Sequence, residues 1–208
     1  MRWPMIILGG VCLLAAAALL ALPVVMKYQP QPEAVLPDLG ATPAFSLTDQ
    51  DGDMFESATL SGKVWVVDFV FTTCPAICPI MTTSMTRVQQ AIQTRGLTDD
   101  ARLISISIDP EHDTPEVLRE YGERFAVDTS IWTLLTGEKE TIWTLCREGF
   151  KLFVGEGEAG DAMPIAHDNK LILVDRAGNI RGYYDGTDAE AVNQLIADLP
   201  DLVREITP

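Results

Sequence analysis

The chain has 208 residues, with 15 Lys and Arg against 30 Asp and Glu, a net charge of −15 and an isoelectric point of about 4.4. Such a surface lacks the cationic face that neutralises phosphates, which excludes a nucleic-acid binder, and a hydrophobic content of 47% is too high for a disordered chain. Four Cys and two His exclude a disulfide-dense miniprotein and a multi-zinc array, and leave few enough soft ligands for each to be weighed by its position.

The first element is apolar. Residues 5–26 read MIILGGVCLLAAAALLALPVVM, a run of 22 without a charge. Wound as a helix it is about 33 Å long, enough to cross a bilayer. Trp3 and Tyr28 stand at its edges, where amphipathic rings favour the interface. Arg2 and Lys27 put one cation on each flank and decide little, but a short basic end before a single apolar segment keeps that end in the cytoplasm and sends the remainder outward. A cleaved signal peptide would have a shorter apolar region, about 7–15 residues, and Ala21-Leu22-Pro23 is a poor small-x-small site. Gly9-Gly10-Val11-Cys12 lacks the large apolar residue three positions before Cys that lipid attachment needs. Residues 1–27 are therefore expected to form a cytoplasmic end and an uncleaved transmembrane helix, with Cys12 a filler inside it. Three Pro make residues 28–42 a semi-stiff tether, and residues 43–208 form the globular domain. Its acidic surface is soluble and repels anionic headgroups.

Within the domain, residues 45–55 read as a hairpin turning at Asp49-Gln50-Asp51-Gly52-Asp53. Residues 63–71 are almost unbroken apolar, the pattern of a strand buried on both faces. Residues 79–95 carry Ile80, Met81, Met85, Val88 and Ile92 at helical spacing, with Gly96 as the stop. Residues 102–108 alternate Leu or Ile with small polar residues, a second strand. Thr114 caps a helix with Pro115 at its first position, running to Phe125. A short strand at 132–135 and a short helix at 138–148 follow. Residues 170–175 and 179–184 flank the turn Arg176-Ala177-Gly178 as a late hairpin, and 188–204 form an amphipathic helix with Val192, Leu195, Ile196, Leu199 and Leu202 on its apolar side. A βαβ unit followed by a hairpin and a closing helix implies an α/β fold, a thioredoxin-like mixed sheet flanked by helices. Chemistry belongs in the loop that follows its first long strand.

That loop reads Thr72-Thr73-Cys74-Pro75-Ala76-Ile77-Cys78-Pro79. Two Cys four apart in a first helical turn would share a face, with Cβ atoms about 5–6 Å apart. That is too far for a relaxed disulfide but suits chelation of one metal or, with local adjustment, a strained and reducible bridge. Thr72 or Thr73 can cap this helix, Pro75 suits its first turn, and Pro79 should irregularise that turn. A helix N-terminus favours the thiolate form of Cys74. The competing reading is two buried Cys serving as core residues.

A third soft ligand must come from elsewhere. His167 precedes the late hairpin, on a loop that reaches the same edge of the sheet. Two Cys and one His suit Cu(I), Cu(II) or Zn(II). Met163 could add an axial sulfur, although a loop Met more often packs. His112, among carboxylates before a helix, reads as exposed and unrelated. Cys146 lies on an apolar helix face and reads as core. Asp68, on the strand beneath the Cys turn, orients a proton or a ligand, or is a buried, satisfied acid.

These segments carry a resemblance. Cys74-Pro75-Ala76-Ile77-Cys78-Pro79 resembles the CxxxCP motif of the Sco/SenC copper proteins, and residues 106–115, ISIDPEHDTP, look like their SxDPxxDTP segment. Residues 132–137, residues 173–178 with 184–188, and His167 at the position of the family's copper-binding His are also similar. Five motifs in this order, from about Pro43 to the C-terminus, make the resemblance specific. It implies a thioredoxin-like domain that binds one copper through Cys74, Cys78 and His167. It further implies a role in building the binuclear copper site of cytochrome c oxidase, either by handing over metal or by reducing that site's cysteines. The implied partners are a copper donor protein and the copper-receiving subunit of a terminal oxidase. The membrane anchor fits the resemblance too, and the four residues before the apolar run leave no room for an Arg-rich transit peptide, so a single-pass inner-membrane protein with its C-terminal domain in the periplasm is expected. Asp168, where Ser or Thr is common, and Cys146 depart from the pattern. A dedicated reductase usually has CxxC and needs no His on the opposing loop, so His167 favours metal binding over thiol–disulfide exchange as the alternative.

Overall fold

The computed structural model describes residues 36–157 and 165–205. The expected transmembrane helix, Cys12 and Met163 lie outside them, and no helix among the described residues is long and apolar enough to cross a membrane. In chain order the elements are β1 (Ser46–Asp49), β2 (Met54–Glu56), β3 (Val64–Val70), α1 (Ile77–Thr94), β4 (Ala101–Ser107), α2 (Pro115–Arg124) and β5 (Trp132–Thr136). Then come α3 (Lys139–Thr144), β6 (Val154–Glu156), β7 (Ile165–His167), β8 (Lys170–Val174), β9 (Ile180–Asp185) and α4 (Ala189–Arg204).

Seven strands form one mixed sheet in the order β2-β1-β5-β4-β3-β8-β9. β3 lies parallel to β4, and β4 to β5, while the β1–β2, β1–β5, β3–β8 and β8–β9 pairs are antiparallel. The two parallel steps are those with a helix between the strands, as a parallel crossover requires. Every residue of β3 is buried, which is why its sequence does not alternate. Val64 and Val66 face Met81, Met85, Val88 and Ile92 of α1 and Val192, Leu195, Leu199 and Leu202 of α4. Trp65, Val67 and Phe69 face the other way, onto Trp143, Leu145 and Phe150. The two-residue period of a strand thus divides one apolar run between two cores, and helices cover both faces of a thioredoxin-like α/β sheet.

Two features depart from the expected elements. The helix read at 138–148 is α3 followed by a π-helical turn, Leu145–Gly149. There Gly149 lets Pro43 approach so closely that a Cβ would stand 2.8 Å from its ring. The second is a separate two-stranded ribbon of β6 and β7, with Val154 opposite His167.

Residues 36–42, read from sequence as the end of the tether, lie against the start of β9. Leu39 N–H donates to Ile180 O and Ile180 N–H to Gly40 O, both at 2.8 Å, and Ala41 pairs with Asn179. Arg181, 6% exposed, donates to Leu36 O at 2.7 Å and Pro37 O at 3.0 Å, and to the carboxylates of Asp175 and Glu205 at 3.1 Å. These bonds cover part of an otherwise open edge strand.

Candidate metal centre

The Cys turn leaves the buried end of β3. Cys74 N–H closes it on Phe71 O at 3.3 Å, and α1 starts only at Ile77, with Ala76 as an N-cap that has no side-chain bond. Cys74 therefore precedes the helix and Cys78 is its second residue, a correction to the expected shared helical face capped by Thr72 or Thr73. The residue before a proline is pushed out of helical conformation, so Pro75 keeps Cys74 in the turn. Pro79 sits at the third helical position, where the missing N–H had no intrahelical partner, and does not disturb α1. In place of a Thr cap, the Cys78 N–H donates to Cys74 Sγ at 3.5 Å.

Thr72 is used otherwise. Its N–H and hydroxyl donate to the two oxygens of Asp113 at 3.0 and 2.5 Å. Asp113, fully buried, also accepts from the Ser107 hydroxyl at 2.6 Å. The segment before Cys74 is thus tied to the loop after β4.

On the opposite side, β7 delivers His167. Its Nδ1 stands 2.8 Å from Asp168 O. A carbonyl only accepts, so Nδ1 carries the proton and Nε2 keeps a lone pair. That lone pair is 3.5 Å from Cys78 Sγ. The Phe71 ring meets the imidazole edge-on, with centroids 5.8 Å apart. Burial pushes the His167 pKa below its ordinary value, and burial pushes the Cys78 thiol up. Without metal the pair is a neutral imidazole accepting from a neutral thiol.

The separation also fits a metal. A sulfur about 2.3 Å and a nitrogen about 2.0 Å from one ion, at a tetrahedral angle, lie about 3.5 Å apart. Asp168 supplies the outer support that ligating imidazoles usually have: its backbone oxygen fixes the tautomer, and its carboxylate accepts Phe153 N–H at 2.8 Å, closing the loop onto β6. Among the described residues, no three His, Cys, Asp or Glu side chains already stand together as a closed metal cage.

Residues 37–204 match the family model described as SCO1/SenC. The chain belongs to the SCO1/SenC family. Three solved structures are similar over most of its length. A SCO1/SenC family lipoprotein from Bacillus anthracis str. Ames is 34% identical with a TM-score of 0.75, covering 82% of this chain and 100% of its own. BsSco, a member of the Sco family of cytochrome c oxidase assembly proteins with a disulfide switch, is 29% identical with a TM-score of 0.73, covering 83% and 99%. ScoI of Bradyrhizobium japonicum, solved with copper bound, is 25% identical with a TM-score of 0.65, covering 78% and 99%.

Around the family's CxxxCP turn, the remaining candidates separate. Cys146 is fully buried in the π-helical turn, and burial raises its pKa to about 12, as expected of a core thiol. Asp68 is not the satisfied acid of one sequence reading. Its Oδ1 accepts the Ser105 hydroxyl at 2.6 Å, which in turn accepts Trp132 Nε1–H at 3.0 Å. Its Oδ2 is buried without a hydrogen-bond partner, and burial raises its pKa to about 7. Sequence reasoning missed Asp113, whose bonds to Thr72 span 41 residues, and the Asp168 carboxylate, whose bond to Phe153 N–H spans 15.

Proposed function

We propose that this chain is a copper chaperone for assembly of the binuclear copper site of cytochrome c oxidase. It holds one copper through Cys74 Sγ, Cys78 Sγ and His167 Nε2. Residues 5–26 anchor it in the inner membrane and its domain works in the periplasm, taking copper from a donor protein and passing it to the copper-receiving subunit of a terminal oxidase. The observation that carries this reading is the His167 lone pair aimed at Cys78 Sγ from 3.5 Å. Copper enters by replacing the thiol protons, so binding releases protons and strengthens as pH rises. Thiolates favour Cu(I) and imidazole accepts either valence. Cys74 completes the set by turning its sulfur away from the Cys78 N–H. The copper bound by ScoI and the oxidase-assembly family of BsSco support the same assignment.

Copper titration of the purified protein tests it. His167→Ala should weaken Cu(II) binding by at least about tenfold while leaving thiol–disulfide exchange intact. Wild-type affinity in that variant would remove His167 from the ligand set.

One observation favours a second reading, a thiol–disulfide reductase acting on the cysteines of a copper site. The Cys78 N–H is directed at Cys74 Sγ, which ties the two cysteines of the turn together, as an exchanging pair requires. On that reading Cys74 and Cys78 are the redox-active pair, and His167→Ala leaves biological activity untouched.

A further inference from the structure

Both imidazoles of the chain stand on segments that bracket the Cys turn. β3 is flanked in the sheet by β4 and β8. β4 runs parallel to β3, so the loop after it lies at the end where β3 enters the Cys turn. β8 runs antiparallel, so the residues before it lie at that end too. His112 is on the loop after β4, and His167 ends β7 just before β8.

The His112 loop is fastened to the Cys turn. Ile108 N–H donates to Val70 O at 2.9 Å, and Thr72 donates twice to Asp113. His112 Nδ1 lies 3.0 Å from Asp113 Oδ1 and 3.4 Å from Thr72 Oγ1. Asp113 already accepts from Thr72 and Ser107, so it is the acceptor here as well and Nδ1 bears the proton. Nε2 stands outside these bonds, on a side chain 52% exposed. His167 is prepared in the same way, with Nδ1 tied to an oxygen and Nε2 left over, but it faces inward. A carboxylate behind an imidazole N–H is also the usual outer support of a metal-bound histidine.

Accessibility gives this second imidazole a use. Cys74 is 4% exposed and Cys78 0%, so a donor's ligands cannot reach both sulfurs from outside. We propose that His112 is an outer copper ligand, which takes the metal from its donor at the surface and passes it to the Cys turn. This rests on Cys74, Cys78 and His167 being the inner site. In the first exchange a Cu–Nε2 bond forms as a ligand of the donor leaves. In the second a thiol releases its proton to water, a Cu–Sγ bond forms and the Cu–Nε2 bond breaks. Copper stays Cu(I) throughout and no electron moves. The isolated sequence makes His112 look unrelated, because its tie to Thr72 spans 40 residues.

Two measurements on the reduced full chain test the relay. In stopped-flow loading from a Cu(I)–bicinchoninate donor, His112→Gln should load about tenfold more slowly than wild type. In a Cys74→Ser/Cys78→Ser variant, Ag(I) should shift the His112 Nε2 resonance in ¹⁵N NMR, and adding His112→Gln should remove that signal. Loading at the wild-type rate, or an Nε2 resonance indifferent to Ag(I), would overturn the relay. Failure of the inner site would register separately, as unchanged equilibrium copper affinity in His167→Ala.

Discussion

Asp68 is buried and His167 half-buried, and they pull the pH dependence of stability in opposite directions. Burial lifts the Asp68 carboxyl from 3.8 to about 7, so between those values the folded protein holds a proton that the unfolded chain has lost. Stability from this group falls as pH rises through that window. Asp68→Asn should therefore raise the unfolding free energy from urea melts at pH 8 by about 1–3 kcal/mol, for a carboxylate with one unpartnered buried oxygen, and change it little at pH 4. An equal gain at both pH values would contradict this. Burial holds His167 below its ordinary 6.5, so the unfolded chain takes that proton first and stability falls as pH drops below 6.5. His167→Gln should flatten this acid limb in urea melts at pH 5 and 7. Copper binding should fail on the same side, because protons compete for Nε2 and both sulfurs.

At the scale of elements, the β6–β7 ribbon decides where the imidazole points. Asp168 holds it closed through two bonds to Phe153, so Asp168→Ala should weaken copper affinity about tenfold at a cost of about 1 kcal/mol in stability. Isothermal titration beside a chemical melt separates the two effects, and an unchanged affinity would show that the ribbon is not held by this residue. The long elements were legible in the sequence. β3 has its unbroken apolar run, β4 its alternation, and α2 its Thr114 cap, with the Thr114 hydroxyl accepting Val117 N–H at 3.4 Å. The three-residue strands of the ribbon were not, since no period can be read from so few residues. The start of α1 was misread because capping and proline preferences compete there, and Pro75 outweighed the two threonines. His167 could be proposed from its rarity and the expected topology. Asp113 could not, since its two bonds to Thr72 reach across 41 residues of chain.

At the scale of the whole domain, Arg181 gathers both ends of the described fold. Its guanidinium binds Leu36 and Pro37 near one end and Glu205 near the other, with Asp175 as its buried partner. Removing one member of such a set leaves the other charge stranded, so Arg181→Ala should destabilise the domain by about 2–4 kcal/mol. Removing residues 1–35 should leave the melting temperature of the domain unchanged, whereas removal through residue 42 should lower it. Equal melting temperatures for the two truncations would mean that the bonds to β9 contribute nothing.

The position of Arg181 has a practical corollary. Trp65 is opposite Val174, and Val174 opposite Ile180, so the guanidinium cluster sits where β3 begins and the cysteines sit beyond where it finishes. A sensor chip, bead or dye coupled just before Leu36 or just after Glu205 would thus occupy the far pole of the domain, leaving the face with the Cys turn unshaded for kinetic work.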